Sequence, residues 1–502
     1  MTTTPFRSIQ NFIDGAWCDP LGQPLGILKN PNDGSFLADQ VTSTPEQVDA
    51  AITAAVAAHR RGDWSKASVT HRVAIVEQMV EDIERYEGSL GHADAVHTGI
   101  NIALMSQVAS SLKFITQDFC RAAPTILQDE RHQGQFGTVV ATRVPKGPVV
   151  IIVPWNVPCG TIMPKLMAAL LAGCSVILKP SEWAPTSIVL LIRAMTQRLG
   201  ERLPKGSLQV VLGGPLVGQQ LVHDARIRAV QFTGSIAVGK AVGAVCGAQL
   251  KPMLLELGGS NCAIVFPDAD LDITIPCLVK SLTFLNGQWC MGVGRILCHA
   301  SLQETVFSRL LQALAGLQVG TSTQPLSLET LGPLSFAGHA EKLRSLIEEL
   351  EKKGGTVHRI SSGEPPVSAV SSVASFFQPC LITGVPHATA SAIELFGPLA
   401  TFYPFSNEEE ALALANENTG KLAAYVFSTN VDKAMSFGSQ LATGMVMLNG
   451  VATGFSMHDG VAEPEIEFWN DAGYGTDGSP SVLLRFFSSK IVVGPNGPAT
   501  KC

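Results

Sequence analysis

The chain of 502 residues is long enough for about three domains or subdomains around a large buried core. Its net charge of −7 and its lack of Lys/Arg blocks disfavour a nucleic acid or an anionic membrane as partner. No apolar run is long enough to span a bilayer, no secretory signal is visible, and the 11 cysteines are scattered and never spaced as CxxC. We therefore expect a globular, enzyme-like chain in the cytoplasm, without disulfides or a metal site.

The first part of the chain predicts a hairpin followed by helices. "FIDGAW" is typical of a short hairpin that turns at Asp14-Gly15. Thr44, followed by Pro45 and by Gln47, predicts a helix that begins with a capping box. Helical patterning continues to about residue 120. "GQFGTVVATRVPKGPV" then alternates and predicts a projecting hairpin with its turn at Lys146-Gly147.

From Val149 onwards, short apolar runs alternate with helical segments, which favours a parallel, doubly wound sheet. "PWN", "KPSE", "FTGS" and "LELGG" each follow one of these strands. Because ligands bind at the carboxyl ends of such strands, we expect the four motifs to meet at one sheet edge. A second α/β alternation runs from "CAIVF" to "GMVMLNG", and "SVLLRFFSSKIVV" near the end is typical of a strand.

One cysteine stands apart from the others. Cys290 lies in "NGQWCMGVG", with glycines on both sides that allow close approach of a bound group, whereas Cys262 lies in the apolar run "NCAIVF". Most free cysteines are small buried hydrophobes, so the surroundings of Cys290 make it the candidate nucleophile. "GYGTDG" at 473–478 matches the GxGxxG string, but no apolar strand precedes it, so we interpret it as a loop.

Polar residues beside the predicted strands have a catalytic and a structural interpretation. Glu256, within "MLLELGG", is a candidate general base, or a structural acid paired with a lysine. Asn156 can donate its amide to a developing oxyanion, or cap a helix. Lys179 and Glu182 offer a cation and an acceptor three residues apart, which is equally typical of a solvated turn.

Two further residues point to a bound cofactor. Ser235 opens a helix whose free N–H groups suit a pyrophosphate. Glu394, in "IELFGP", is either a binding residue or an ordinary exposed acid.

Six motifs, "PWN", "KPSE", "FTGS", "LELGG", "GQWC" and "ELFGP", occur in this order, and the set resembles the NAD(P)-dependent aldehyde dehydrogenase superfamily. The similarity extends from "FIDGAW" to "SSKIVV". It implies an α/β chain with a Rossmann-like cofactor domain, an α/β catalytic domain and a small β hairpin for assembly into a homodimer or homotetramer. The implied divisions are 1–125 and 146–256 for NAD binding, 257–455 for catalysis, and 126–145 and 456–502 for oligomerisation and bridging.

The resemblance also implies roles for individual residues. Cys290 matches the nucleophile, Glu256 the general base, Asn156 the oxyanion donor and Lys165 a lysine linked to proton relay. The implied cofactor-binding residues are Trp155, Lys179, Ser181, Glu182, Gly234, Ser235, Val238, Leu257, Glu394 and Phe396.

The implied reaction is oxidation of an aldehyde to a carboxylic acid through a cysteine thiohemiacetal and a thioester. Two alternatives remain open: transfer of the acyl group to coenzyme A, and a non-catalytic structural or binding protein that keeps the fold. The carboxylate of Glu182 would accept hydrogen bonds from a ribose 2′-OH and repel a 2′-phosphate, so NAD is favoured over NADP.

The chain departs from the family pattern near the substrate. Leu285 stands where an asparagine is usual, with Asn286 one residue closer to the nucleophile, and Ser260 replaces a common lysine. "EPEIEFWNDAGYGTDG" replaces most of the usual "PFGGxKxSGxGRE" segment. From Val157 and Trp289 beside the site, we expect a roomy apolar pocket for a bulky or aromatic aldehyde.

Overall fold

The computed structural model describes residues 9–324, 327, 330–360, 375–417, 420–451 and 465–494. Within these residues the chain forms an eight-stranded sheet, a seven-stranded sheet and three small sheets. The strands are β1 (Asn11–Ile13), β2 (Ala16–Cys18), β3 (Ile27–Lys29), β4 (Phe36–Asp39), β5 (Glu130–Gly134), β6 (Gly137–Pro145), β7 (Pro148–Ile152), β8 (Ser175–Lys179), β9 (Leu208–Val210), β10 (Ala229–Gly234), β11 (Met253–Leu257), β12 (Asn261–Val265), β13 (Val293–His299), β14 (Thr356–Arg359), β15 (Cys380–Thr383), β16 (Leu399–Phe405), β17 (Ala423–Phe427), β18 (Met445–Leu448), β19 (Ile466–Glu467), β20 (Gly473–Tyr474), β21 (Thr476–Asp477) and β22 (Ser488–Val493).

The helices alternate with the strands in both large sheets, as the sequence predicts. They are α1 (Pro45–Arg61), α2 (Val69–Val76), α3 (Met79–Thr98), α4 (Ile102–Ile126), α5 (Pro158–Ala172), α6 (Thr186–Leu199), α7 (Pro215–His223), α8 (Ile236–Ala248), α9 (Leu271–Thr283), α10 (Gln303–Ala315), α11 (Ala337–Lys352), α12 (His387–Ser391), α13 (Glu408–Asn416), α14 (Val431–Gly438) and α15 (Pro480–Phe487).

The first sheet has the order β2-β1-β9-β8-β7-β10-β11-β20, and its five central strands, β7 to β11, run parallel. Its strands are buried on both faces. In β7, Val149 and Ile151 pack into one apolar cluster while Val150 and Ile152 pack into another. This alternation follows from the two-residue period of a strand, and it requires helices on both faces of the sheet.

The second sheet has the order β14-β15-β16-β13-β12-β17-β18, and only β14 is antiparallel to its neighbour. Its residues also alternate between two clusters: Ala263 and Val265 of β12 join one, and Cys262 and Ile264 the other. Cys262 is therefore a core residue, as its apolar run predicts.

The hairpins are partly where the sequence predicts them. Asp14 and Gly15 have φ of 49° and 82°, which confirms the turn between β1 and β2. The projecting hairpin exists, but its turn was predicted wrongly: β5 and β6 pair up to Gly134 and Gly137, and Lys146-Gly147 instead joins β6 to β7. The hairpin is completed by β22, antiparallel to β6.

The C-terminal segment "SVLLRFF" is helical, and the strand prediction there was wrong. Ser479 caps α15 by accepting from the Val482 N–H, and Pro480 occupies the first turn. Its apolar residues, Leu483, Leu484 and Phe487, are buried at helical spacing. Only Ser488–Val493 is a strand.

Among the residues that the structure describes, no helix combines the length and the hydropathy needed to cross a bilayer.

Candidate active site

The four strand-end motifs meet at one edge of the first sheet, which confirms the prediction of their convergence. Strands β8, β7, β10 and β11 are neighbours in that order and run parallel. Lys179 ends β8, Asn156 follows β7, Ser235 follows β10, and Glu256 is the penultimate residue of β11. The sheet therefore places residues that are up to 100 positions apart in the sequence, from Asn156 to Glu256, in one row.

The thiol of Cys290 reaches this edge from the second sheet. Cys290 lies in the loop between α9 and β13, and its Sγ is 3.8 Å from Glu256 Oε1. On the other side of Glu256, Oε2 lies 3.4 Å from Lys165 Nζ and accepts from the Thr233 hydroxyl at 3.2 Å. Three of the predicted catalytic residues, Cys290, Glu256 and Lys165, are therefore in one chain of contacts.

Asp477 extends this chain and was missed from the sequence. Its Oδ2 lies 2.7 Å from Lys165 Nζ, closer than Glu256 does. It ends β21, in the segment 473–478, whose strand β20 pairs with β11 through Gly473 and Glu256. The interpretation of this segment as a loop therefore does not hold for these two short strands. The acid two residues after Gly475 was the available signal, but its contact with Lys165 is seen only in the tertiary structure.

The backbone around Cys290 is held by buried side chains. Asn261, 1% exposed, donates from Nδ2 to the carbonyls of Cys290 at 2.7 Å and Gly292 at 2.9 Å. Its Oδ1 accepts from the N–H groups of Leu422 and Ala423, at 3.0 Å each. All these partners are backbone groups, so Asn261 fixes the loop that carries the thiol.

The residues just before the thiol have an unusual backbone. Leu285 and Asn286 have φ of 53° and 57°, in the left-handed region. The Asn286 amide donates to the carbonyls of Gly99 and Pro333, at 2.9 Å each. Since these bonds use both of its N–H groups, Asn286 supports the loop.

Asn156 is buried at the start of α5, and its Nδ2 donates to the carbonyl of Gln288 at 2.8 Å. Val157 is the N-cap of α5, so the interpretation of Asn156 as a helix cap is wrong. The amide lies against the loop two residues before the thiol, and its second N–H is available for another acceptor. Its oxyanion role stays a prediction.

The surroundings keep the thiol neutral and the lysine charged. Burial, together with the carboxylates of Glu256 and Glu394, raises the pKa of Cys290. Burial disfavours the charged form of Lys165, but Asp477 and Glu256 more than offset it and raise the pKa of Lys165. The site thus holds a thiol beside a carboxyl group whose other oxygen faces a permanent cation.

The predicted cofactor residues line the same sheet edge and the facing domain. Lys179 Nζ lies 3.5 Å from Glu182 Oε2 and is buried, so the pair is not a solvated turn. Burial lowers the pKa of Lys179, and Glu182 opposes that shift. Ser181 is buried and Val238 is half exposed, on the first turn of α8.

Ser235 begins α8 without any side-chain capping bond, so the first N–H groups of this helix have no side-chain partner at the cap. Gly234 ends β10 just before it, and Leu257 ends β11 beside it in register with Gly234. Gly234, Ser235 and Leu257 therefore all lie at the carboxyl edge of the sheet.

Glu394 is partly buried, and the interpretation as an ordinary exposed acid is wrong. Its Oε1 accepts from the Gly259 N–H at 3.2 Å, and burial raises its pKa to about 7. A Cβ at Gly258 would overlap the Glu394 carboxylate, so any side chain there would displace this acid from the "LELGG" turn.

An aromatic cluster joins the two halves of the chain at this edge. Trp155 packs on Phe336, His339 and Phe396, with ring centroids 5.3, 5.1 and 5.5 Å away. Trp183 stacks on Phe336 at 4.0 Å. Trp155 and Phe396 were predicted site residues, whereas Trp183, Phe336 and His339 were missed because only the tertiary fold brings them together.

A cavity of about 230 Å³ opens onto the thiol. The residues that border it come from α4, α5, β11, the thiol loop and the C-terminal segment: Ser111, Ile115, Asp118, Phe119, Gly160, Pro164, Lys165, Glu256, Cys290, Met291, Leu422, Ile466, Phe468, Asp477, Gly478 and Leu483. Its walls are mainly apolar, as expected.

Two expectations about this pocket were wrong. The cavity lies below the range of about 300–1,000 Å³ usual for drug-sized ligands, so it is not roomy. Trp289 does not border it: its side chain is buried and its Nε1 donates to the Ser281 carbonyl at 2.9 Å. The indole packs with Phe284 in the core beneath the loop.

The geometry agrees with comparison to known proteins. The model of the aldehyde dehydrogenase family matches residues 26–492, which is most of the chain. The chain belongs to the aldehyde dehydrogenase family. It is 31% identical to a 2-hydroxymuconic semialdehyde dehydrogenase of Pseudomonas sp. (strain CF600) over 88% of this chain and 91% of that protein. It is also 31% identical to a 3-succinoylsemialdehyde-pyridine dehydrogenase of Pseudomonas sp., over 97% and 98%.

Among solved structures, betaine aldehyde dehydrogenase of Staphylococcus aureus in complex with NAD⁺ superposes with a TM-score of 0.89. It shares 25% identity with this aldehyde dehydrogenase, over 97% of this chain and 94% of that one. The predicted family and the predicted α/β fold are thereby confirmed.

The raised pKa of Cys290 predicts how its reactivity depends on pH. Since only the thiolate reacts, alkylation of Cys290 by iodoacetamide should rise roughly ten-fold per pH unit from pH 7 to pH 9. Peptide mass spectrometry measures the rate, with Cys290→Ser as the blank. Glu256→Gln, which removes one negative neighbour, should react faster at a given pH. A rate independent of pH in this range would mean that the thiolate already dominates.

Proposed function

We propose that this aldehyde dehydrogenase oxidises a compact, apolar or aromatic aldehyde to the carboxylic acid, with NAD as the oxidant and Cys290 as the nucleophile. The observation that carries the proposal is the 3.8 Å contact between the Cys290 thiol and the Glu256 carboxyl group, which Lys165 holds from its other oxygen. A nucleophile beside an oriented base is the arrangement that covalent catalysis requires.

The residues at the sheet edge fit NAD chemically. The N-terminus of α8 at Ser235 suits a pyrophosphate, because its first N–H groups have no side-chain cap. Glu182 and Glu394 offer carboxylates to the hydroxyls of the two riboses, and Lys179 orients Glu182. NAD, when bound, supplies a hydride acceptor. A 2′-phosphate would be repelled by Glu182, which favours NAD over NADP.

The first step is addition of the sulfur to the aldehyde carbon. The Cys290 thiol loses its proton to water, and the S–C bond forms between the thiolate and the carbonyl carbon as the carbonyl oxygen becomes an oxyanion. The second N–H of Asn156 and the backbone N–H of Cys290 are the donors available for this oxygen. Each such donor is worth roughly 10²–10³ in rate.

After the hydride leaves, the acyl group remains on Cys290 as a thioester. Glu256 borders the same cavity as the thiol, so it can remove a proton from a water molecule that attacks this thioester. Lys165, between Glu256 and Asp477, keeps the carboxylate oriented through each proton transfer. The products are the carboxylic acid and the free thiol.

The position of Glu256 also favours hydrolysis over the two alternatives. Transfer to coenzyme A requires no base beside the thioester, whereas Glu256 lies against the sulfur. A structural protein would not need a partly buried thiol, an oriented acid and a buried lysine around one cavity. These contacts support an active hydrolytic enzyme.

The chain also has a surface suited to self-association. Val492 and Val493 at the end of β22 are 64% and 65% exposed, beside the projecting hairpin. A strand with exposed apolar residues is disfavoured in a monomer. We propose that the hairpin and β22 assemble subunits into a homodimer or homotetramer; the cytoplasmic location stays a prediction.

An aldehyde panel tests the proposed reaction. The enzyme should produce NADH, followed at 340 nm, with compact aromatic or aliphatic aldehydes, and kcat/KM should be higher with NAD than with NADP. Cys290→Ala should abolish turnover and retain NAD binding, measured by calorimetry. No NADH with any aldehyde would favour the structural alternative, and loss of NAD binding in Cys290→Ala would mean the site is assigned wrongly.

Asp477 is expected to act on hydrolysis through Lys165. Asp477→Asn should lower the steady-state kcat roughly ten-fold, while the rapid first turnover of NADH in stopped flow is retained. Asp477→Glu keeps the charge and should recover most of the rate. If both variants match the wild-type protein, the ion pair has no role in turnover.

Self-association predicts a measurable change in mass. Val492→Lys should shift the protein to a smaller species in size-exclusion chromatography with light scattering. Val431→Lys is the matched control, because Val431 is 54% exposed at the start of α14, away from the hairpin. A wild-type monomer would contradict the proposal.

A further inference from the structure

Two polar side chains of β10 form a row of hydrogen bonds that ends on the general base. Gln231 Nε2 donates to Thr233 Oγ1 at 2.8 Å, and the Thr233 hydroxyl donates to Glu256 Oε2 at 3.2 Å. Gln231 and Thr233 are two residues apart on one strand, so their side chains face the same side of the sheet. Thr233 is also in register with Glu256 of β11. The row therefore connects the interior of the sheet to the Glu256 carboxylate.

The position of Gln231 is unfavourable for an amide. Its side chain is fully buried, and its neighbours in register are Ile151 of β7 and Leu254 of β11, which belong to one apolar cluster. Its Oε1 is buried, and no described residue donates a hydrogen bond to it. A buried polar atom without a partner destabilises the folded state. An apolar side chain of equal size would therefore suit the core better than this amide.

The direction of the hydrogen bonds follows from the chemistry of the three groups. An ionised carboxylate only accepts, so the single hydroxyl hydrogen of Thr233 points to Glu256. The Thr233 oxygen then accepts from its other neighbour, and the Gln231 N–H is the donor. Gln231 thus holds the hydroxyl in the orientation that donates to the base, and hydrogen bonds in such a row strengthen one another.

The Thr233 hydroxyl helps to determine which oxygen of Glu256 faces the thiol. Oε2 meets both this hydroxyl and Lys165 Nζ, which is 3.4 Å away, whereas Oε1 lies 3.8 Å from Cys290 Sγ. The terminal torsion of a glutamate is broad, so its carboxylate rotates unless one oxygen is held. With Oε2 held by two donors, Oε1 stays on the side of the sulfur that carries the acyl group.

We infer that Gln231 is a positioning residue for hydrolysis, which acts through the Thr233 hydroxyl to orient the Glu256 carboxylate. The inference rests on the proposed function, because it concerns the step in which Glu256 removes a proton from the water that attacks the thioester. Gln231 does not border the cavity that opens onto Cys290, so its effect reaches the reaction only through the base. The amide destabilises the core and serves hydrolysis.

The rate at which the acyl group leaves Cys290 tests the inference. The enzyme is mixed with saturating NAD and one equivalent of an aldehyde that it oxidises; NADH formation reports acylation, and intact-protein mass spectrometry follows loss of the adduct. Gln231→Met removes the N–H donor with little change in size. It should slow hydrolysis about five-fold and leave the rate of NADH formation unchanged. Its melting temperature should be equal to that of the wild-type protein or higher, because a buried atom without a partner is removed.

Gln209→Met is the matched control. Gln209 is equally buried, on β9 of the same sheet, but its amide bonds to backbone groups of Ala51 and Asp14. This variant should lower the melting temperature and leave the rate of hydrolysis unchanged. Gln231→Asn, whose amide is one methylene too short to reach the Thr233 hydroxyl, should slow hydrolysis as Gln231→Met does. It decides the question if Gln231→Met does not fold.

A double variant shows whether Gln231 acts through Thr233. Thr233→Val removes the hydroxyl, so adding Gln231→Met to it should slow hydrolysis no further. Effects that multiply across the two changes would overturn the inference. Equal slowing of NADH formation and hydrolysis in Gln231→Met, together with a lower melting temperature, would also overturn it, because that result indicates a purely structural role.

The outcomes separate this inference from the proposed function. If the wild-type protein forms no NADH with any aldehyde, the proposed function fails. If it forms NADH and loses the adduct, and Gln231→Met loses the adduct at the same rate, the function stands and the role of Gln231 is wrong.

Discussion

The contact on which the site depends is that between the Glu256 carboxyl group and the Cys290 thiol. Glu256 lies at the carboxyl end of β11 and Cys290 in the loop before β13, so the contact exists because the carboxyl edge of the first sheet meets the amino edge of the second. The close approach requires small residues: a Cβ at Gly259 would overlap the backbone of Gly420, and one at Gly287 would overlap that of Gly397. The glycines beside both catalytic motifs therefore serve the packing that joins nucleophile and base.

The same contact explains why so much polar structure is buried nearby. The side chains of Asn261 and Asn286 donate hydrogen bonds to backbone carbonyls of the thiol loop and of the segments packed against it. Unpaired, those groups would each cost free energy in the interior. Their bonds hold the loop that carries the sulfur in place beside Glu256.

Local patterns were enough to predict most of the elements and the convergence of the strand-end motifs at one sheet edge. The capping box at Thr44 and Gln47 is formed as the sequence indicates, and every strand-end motif lies at the expected edge. The sequence did not predict those side-chain positions that depend on tertiary packing. The direction of the Trp289 side chain is determined by the Ser281 carbonyl and the core beneath it. Asp477 lies in a segment unlike the family pattern, and its contact with Lys165 depends on the tertiary fold.

The central claim is that Glu256 hydrolyses an acyl group carried by Cys290, and intact-protein mass spectrometry of Glu256→Gln tests it most directly. After mixing with NAD and an aldehyde that the wild-type enzyme oxidises, the variant should produce about one equivalent of NADH per subunit. Its mass should increase by that of the acyl group, located on Cys290 by peptide mapping. Sustained turnover without an adduct, or an adduct on another residue, would contradict the account.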